Sequence, residues 1–392
     1  MNHQYRLIWS DKIQSWVPVA EIVLSRGKRN SGRVGQKPSR LFKRCRSRLS
    51  QLAVALALSF SSYSVYANPT GGQVVAGSAS ISTAPSQVTV NQSTNKAIIN
   101  WQSFSIKEGE TTRFKQPSTK SIALNRIKGQ DPSKIHGNLS ANGQVWLVNP
   151  NGVYFGPNAK IDVSGLLATT HDIANDKFMA GDYQFNIPGK ADASIVNEGS
   201  ITINNAGLAA FVAPAVRNDG VILAKLGQVE MASGTGFSLD LYGDQLVELA
   251  VDPQTVQAYT TDGEPLQSFV ENSGSIDAET IVMTANAARD VVDSVINMSG
   301  EIHASTASQS GGTIILGGDA SHGDIVVSGT LDASATSSTE AADGGEVIVF
   351  GDNTTITSTA NIKAKGGQVG GDGGFVETSG NSVDIQQGAT VS

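Results

Sequence analysis

Beyond Cys45 the chain has no cysteine at all. That excludes a disulfide framework, a thiolate metal site and a cysteine nucleophile from everything downstream. Two reasons fit the absence. A chain threaded unfolded through a narrow pore cannot carry an early bridge, and a large β core needs no staple. Long apolar runs are missing too. The run Leu52-Ala53-Val54-Ala55-Leu56-Ala57-Leu58 is too short for a bilayer helix, and no later segment reaches the ~18–20 residues one needs. The C-terminal end lacks the amphipathic strands of a membrane barrel. Basic charge is scarce after residue 67. Residues 1–67 hold 12 of the 28 Lys+Arg and 2 of the 35 Asp+Glu, which leaves 16 basic against 33 acidic residues. A net charge of −17 over residues 68–392 argues against nucleic acid or anionic membrane as a partner. Aromatics make up 6% of the chain.

What is present starts with a leader. Lys43-Arg44-Cys45-Arg46-Ser47-Arg48 precedes the apolar run, and Val65-Tyr66-Ala67 ends in a small-x-small cleavage site. This is a secretory signal, read by the general secretion machinery and cut between Ala67 and Asn68. The extra opening segment, Met1-Asn2-His3-Gln4-Tyr5-Arg6-Leu7-Ile8-Trp9-Ser10, resembles the extended signal peptides of large Gram-negative exoproteins. Residues 1–67 are therefore the signal peptide, and the mature chain works outside the cytoplasm. Without a pore of its own it needs a separate outer-membrane transporter, or it stays in the periplasm.

The remainder alternates short β-branched runs with Asn, Gly and Asp turns, as in Ser200-Ile201-Thr202-Ile203 and Gly312-Thr313-Ile314-Ile315-Leu316. This spacing predicts strands. A degenerate Asn-x-Gly-x-Ile repeat places glycines at 199, 220, 274, 300 and 329, with gaps of 21, 54, 26 and 29. The long gap reads as about two units. Such a period predicts a β-solenoid, with Val, Ile, Leu and Ala stacked inside and Gly and Asn at corners for their tolerance of positive φ. At ~22 residues per coil it would have ~15 rungs over ~70 Å. A β-sandwich is the alternative, but it should show two-residue Asn-Gly hairpins. Residues 237–251 alternate around Gly243-Asp244 and predict a hairpin laid on the rod. Residues 285–295 have helical spacing and predict a short helical corner.

Residues 68–180 carry most of the mature chain's basic side chains, Trp101, Trp146 and Asn91-Gln92-Ser93-Thr94. They also carry Val145-Trp146-Leu147-Val148-Asn149-Pro150-Asn151-Gly152-Val153, followed by Phe155-Gly156-Pro157-Asn158-Ala159-Lys160-Ile161. Here the chain resembles the two-partner-secretion domain of filamentous haemagglutinin-like exoproteins. The Asn-Pro-Asn-Gly variant is closer to the high-molecular-weight adhesin branch. The resemblance covers the leader and about 70–300, including the hairpin and Thr284-Ala285-Asn286-Ala287-Ala288. It implies an all-β, right-handed parallel β-helix with an N-terminal cap and an extra-helical hairpin. It also implies recognition by a dedicated outer-membrane transporter with periplasmic domains. Domains follow as 68–300 for secretion and 301–392 for further repeats. The secretion motif would be Asn149, Pro150, Asn151 and Gly152, with Asn91, Gln92, Ser93 and Thr94. From turn chemistry alone, Asn149-Pro150-Asn151-Gly152 is either a structural corner or a transporter contact. The cap falls on 68–100, with Trp101 as an apolar plug.

Catalytic, metal and cofactor chemistry find no pattern. The histidines at 136, 171, 303 and 322 lack ligand spacing. Asp343-Gly344-Gly345 and Gly370-Gly371-Asp372-Gly373-Gly374 look like calcium-binding repeats but lack the iterated nonapeptide, so they are loops. Asp240, Asp244 and Glu248 read as a hairpin's solvent face. The expected function is a secreted, cell-surface exoprotein with an adhesive or structural rod facing a receptor on a host or neighbouring cell. The rivals are a β-helix polysaccharide lyase or hydrolase and the stalk of a contact-dependent toxin. The sequence stops inside repeat-like residues, Gly388-Ala389-Thr390-Val391-Ser392, and reads as a short member or a piece of a longer exoprotein.

Overall fold

The computed structural model describes residues 5–10, 15–20 and 68–392, except 205, 235, 240–246, 251–267, 286–293 and 319–322. The chain divides into two compact units, Met1–Ser64 and Val65–Ser392. In the first, Tyr5–Ser10 pairs antiparallel with Ser15–Ala20. Ala67, the turn of the predicted hairpin and most of the predicted helical corner lie outside the described residues.

In the second unit the short strands stack in parallel, each coil on the one before, as the three sides of a β-helix. The first side runs from Gln87–Gln92 through Thr111–Lys115, Asn138–Ala141, Lys160–Val163 and Ser200–Ile203 to Thr390–Val391. The second runs from Lys96–Trp101 through Ile122–Ile127, Gln144–Val148, Gly165–Thr169 and Leu208–Ala213 towards Phe375–Ile385. The third includes Ser133–Ile135, Val153–Phe155, Ser194–Asn197, Ala215–Asn218 and Ser268–Asn272. The winding is right-handed, the hand that parallel crossovers take. One continuous core of Val, Ile, Leu, Phe and Ala fills the interior from Val88 to Ile362.

The repeat is legible but its long gap is not two units. Gly274 sits directly on Gly220, and Val221 pairs with Ser275. The 54-residue gap is one coil plus an excursion. The register carries Ser200 to Val221, Ser275, Glu301, Thr330, Asn361 and Thr390. The later coils are longer than ~22 residues because arms such as 305–312, 333–345 and 364–374 leave the strands at a corner. From Gln87 to Thr390 the first side holds eleven strands. That is a height of ~48 Å at ~4.8 Å per step, shorter than coils of ~22 residues imply.

Positive φ does not explain the repeat's glycines either. None of the five is among the positive-φ residues. A Cβ on Gly220, Gly274, Gly300 or Gly329 would stand 2.1–2.2 Å from the carbonyl oxygen of the glycine one coil below. Glycine is needed because backbone passes over backbone. Beside this column, Asn197 Nδ2 donates to Asn218 Oδ1 and Asn218 Nδ2 to Asn272 Oδ1, both at 2.7 Å. This buried ladder ends where Asn272 meets Met298 Sδ.

At the N-terminal end residues 70–84 double back over 87–103. Gln73–Ala76 pairs antiparallel with Lys96–Trp101, Ala79–Ala84 with Gln87–Gln92, and Thr70 with Ser103. Trp101 plugs the core beneath this cap, and its Nε1 donates to Asn125 Oδ1 at 2.9 Å. A Cβ on Gly72 would lie 2.5 Å from its indole ring.

The second side differs from the first. Ile122–Ile127, Gly165–Thr169 and Leu208–Ala213 are buried at every position, the signature of a sheet covered on both faces. The cover is residues 170–193, which leave the coil after Thr169 and include the helix Asn175–Ala180, and the predicted hairpin. Gly236–Leu239 pairs with Val247–Ala250, and Gln184–Phe185 adds a third antiparallel strand.

Candidate functional site

The two sequence motifs occupy different corners of the first coils, and the fold does not bring them together. Asn149-Pro150-Asn151-Gly152 joins the second side to the third. Gly152 N–H donates to Asn149 O at 3.0 Å and closes the turn. Asn149 is fully buried. Its Nδ2 donates to Asp131 O at 3.1 Å and Ser133 Oγ at 3.0 Å, one coil below. Its Oδ1 accepts from Asn151 N and Asn151 Nδ2, both at 3.0 Å. Asn151 Nδ2 also donates to Gly129 O at 3.1 Å. On the other side, Lys190 N donates to Pro150 O at 2.9 Å. Gly152 has φ +104°, and a Cβ there would stand 2.7 Å from Ser194 O. The turn is thus held from both neighbouring coils.

Asn91-Gln92-Ser93-Thr94 joins the first side to the second, directly under the cap. Gln92 is buried. Its Nε2 donates to Thr94 O at 2.6 Å and Ile122 O at 3.1 Å, while Gln116 Nε2 donates to its Oε1 at 3.2 Å. Ser93 N donates to Ser78 O, and Ser78 N to Thr94 Oγ1, both at 2.9 Å. Asn91, Ser93 and Thr94 are exposed. Of the cleavage pair, Asn68 is buried at the rim, and Thr112 Oγ1 donates to its Oδ1 at 3.4 Å.

Sequence reading missed the fastening of the outer layer. Trp146 is ringed by Phe178, Tyr183 and Phe185 at 5.6, 4.9 and 5.9 Å between centroids. Phe185 in turn stacks on Phe237 at 4.5 Å. Buried Arg126 clamps one end of the flap. Its Nε meets Asp172 Oδ1 at 2.7 Å, Nη1 meets Asn175 Oδ1 at 2.7 Å and Nη2 meets Ile173 O at 2.6 Å. At the other end Lys96 Nζ donates to Phe178 O and Met179 O at 3.2 Å and lies over the Tyr183 ring at 5.0 Å. Burial pulls the Lys96 ammonium below its usual value. Burial also lowers His171 to about 4, so at neutral pH its ring is uncharged beside Phe237. The one signal in the sequence was that this side's strands are apolar without alternation.

A family of TPS secretion domains matches residues 65–333. The chain belongs to that family. The extended signal peptide of type V secretion systems matches residues 1–62. The secretion domain of HMW1 from Haemophilus influenzae is similar in structure. It has a TM-score of 0.55 and 25% identity, over 83% of this chain and 98% of that one. Two proteins named heme/hemopexin-binding protein are similar in sequence. One, from Haemophilus influenzae strain Rd, is 32% identical over 64% of this chain and 27% of its own length. The other, also from Haemophilus influenzae, is 30% identical over 76% of this chain and 33% of its own length. The chain thus spans a third or less of these relatives. With a type V leader and a TPS domain, the protein is a secreted two-partner exoprotein. It crosses the inner membrane by general export and reaches the cell surface through the periplasm.

Proposed function

We propose that the first coils are the export address read by a dedicated outer-membrane transporter with periplasmic domains, and that the later coils begin an adhesive or structural rod. We assign 68–300 to the address and 301–392 to the rod, which would present its sides to a receptor on a host or neighbouring cell. The observation that carries this is the double-layered second side. It is walled by aromatics up to Leu239, whereas Ser275–Ala285 and Thr313–Gly318 alternate buried and half-buried residues from Ser275 to Leu316. Asn149-Pro150-Asn151-Gly152 serves secretion by building its corner, since its side chains are spent on neighbouring coils. Coil-upon-coil folding outside the cell would oppose backsliding.

The test is secretion with and without the cognate transporter, following the mature chain in supernatant, cell surface and periplasm. Transporter-dependent release supports the reading, and equal release without it overturns it. The haem or hemopexin binding in the relatives' names finds no fitting groove among the described residues of this chain. The exposed His303 stands in a groove with Asp277 and Asp332, carboxylates that would repel haem propionates. That groove is also what favours the rival, a polysaccharide-cleaving β-helix, because it groups carboxylates on one side. Turnover of an acidic polysaccharide by the purified chain would establish the rival.

A further inference from the structure

The outer face of the first side is polar on every coil but one. The exception is the coil that begins with Val221–Ser233, whose outward residues are Val221 and Leu223. From Gln87 to Thr390 the column through Val221 otherwise holds Gln, Thr, Asn, Lys, Ser and Glu, and the column through Leu223 holds Thr, Arg, Ser, Asp, His and Lys. A third apolar residue, Leu226, stands at the corner of the same coil. Val221 is 39% exposed and Leu226 45%, and Leu223 is half-buried. Single exposed apolar residues are ordinary, but three together on a polar face mark an interaction site.

Leu226 carries a second signal. Its φ is +59°, a left-handed conformation that a branched side chain adopts at a cost. The coil below places the smaller Ala206 at the matching corner, with φ +53°. The coil above crosses that corner with Glu279 alone, where this one uses Lys225, Leu226 and Gly227. The bulge thus holds a leucine out in solvent, where it adds nothing to its own core.

We propose that this patch joins two copies of the chain, face to face and antiparallel, about a two-fold axis along residues 221–224. Such an interface must be self-complementary. An axis along the strand keeps each column on itself and reverses the order of the coils. Val221, Leu223 and Leu226 then meet their own counterparts. One coil away, Asp277 meets Thr202. Two coils away, Glu301 meets Lys160 and His303 meets Asp162, and all four are exposed. A parallel pair would instead set Asp277, His303 and Asp332 against themselves. The wider charge has the same sense. Residues 68–190 hold 11 basic and 7 acidic residues, a net of +4, and residues 191–392 hold 5 and 26, a net of −21. Antiparallel packing lays the acidic half of each copy on the basic coils of the other, and juxtaposed like charges are what a specific interface avoids. Five coils span ~19 Å, a footprint in the class of weak, transient contacts. Rods on facing cells would sum many such contacts. That use rests on the surface-rod reading above, whereas the pairing itself does not.

The experiment is sedimentation equilibrium of the mature chain at low salt. Expected is a monomer–dimer equilibrium that weakens as salt rises. Leu223→Thr/Leu226→Gly copies Thr202 of the coil below and suits the left-handed corner. It should weaken the dimer about tenfold with the unfolding midpoint held. Lys160→Glu and Glu301→Lys should each weaken it about tenfold as well, because each spoils two pairs per dimer. Lys160→Glu/Glu301→Lys together should restore it. Within one chain the two positions lie four coils, ~19 Å, apart, so rescue arises only between copies. Three results would each overturn the proposal: a monomer at every concentration up to about 1 mM, a dimer untouched by Leu223→Thr/Leu226→Gly, or charge variants that the double does not rescue. Transporter-independent release in the secretion assay would overturn the export reading and leave this one standing.

Discussion

Replacing Asn149 with alanine separates the two roles open to the Asn149-Pro150-Asn151-Gly152 turn. The side chain is fully buried and makes four hydrogen bonds, to Asp131 O, Ser133 Oγ, Asn151 N and Asn151 Nδ2. Each neutral bond contributes about 1 kcal/mol net, and partners left dry cost more than partners that reach water. Asn151 is half-buried and can be partly rehydrated, so Asn149→Ala should cost about 3 kcal/mol. Asn151→Ala loses the bonds to Gly129 O and Asn149 Oδ1 from a wetter position and should cost about 1 kcal/mol. Pro150→Ala should cost less again, through the unfolded chain alone. Denaturant titration gives the global term. Amide exchange over residues 129–152 gives the local one, with about a hundredfold faster opening for Asn149→Ala. If the corner serves secretion by folding, secretion falls in the same order, Asn149 worst and Pro150 least. Full stability with lost secretion, or a defect concentrated at Pro150 and Asn151, would refute the structural reading and make the turn a contact surface.

Gly220→Ala should destabilise the rod by about 3 kcal/mol, because its Cβ would stand 2.2 Å from Gly199 O and the coils must part; Gly373→Ala, whose Cβ would meet only Ala364 O at 3.9 Å, is the comparison in the same unfolding assay. Arg126→Met leaves the Asp172 carboxylate without its partner at 2.7 Å and should cost about 3–5 kcal/mol. The readouts are a red shift of Trp146 fluorescence and new proteolysis within 170–189. His171 is held neutral by burial, its value lowered from 6.5 to about 4. Stability is therefore complete above pH 6.5 and falls as pH drops towards 4, by about 3 kcal/mol at that end, since the unfolded chain binds the proton more readily. His171→Gln should flatten that part of the stability–pH curve, and an unchanged curve would refute the assignment.

The fold class was legible because a solenoid repeats its rules. Each coil needs an inward Val, Ile or Leu at a fixed offset from a glycine, and Ile195, Val216, Val270 and Ile296 precede Gly199, Gly220, Gly274 and Gly300 by four residues. The hairpin was legible from alternation at Phe237 and Leu239. What the one-dimensional pattern could not carry was contact between coils. It therefore misjudged the 54-residue gap, which looks like two periods until Val221 is seen beside Ser275. It assigned the glycines to φ because crowding by the coil below leaves no local mark. It missed Arg126, whose partners Asp172, Ile173 and Asn175 are 46–49 positions away. The helix Asn175–Ala180 is too short to show an amphipathic period.

The outer layer also fixes an order of assembly. Phe185 stacks on Phe237 and pairs through Gln184–Phe185 with Gly236–Leu239, which pairs with Val247–Ala250. The flap over Trp146 is thus complete only once residue 250 is available, although the coil beneath it closes with Gly165–Thr169. Until then the second side presents Ile98, Leu124, Trp146, Leu167 and Ala210, an apolar strip that the hydrophobic effect cannot leave in water cheaply. Coils built from Ser275 onward carry no such flap among the described residues: outward on this side Thr280, Thr284 and Thr313 alternate with half-buried Val282, Ile315 and Ile348. A chain leaving a pore N-terminus first would therefore hold its first coils loosely until the hairpin has emerged, then lock them, and add later coils singly. The address would be stiffened by its own excursion, and the rod by repetition.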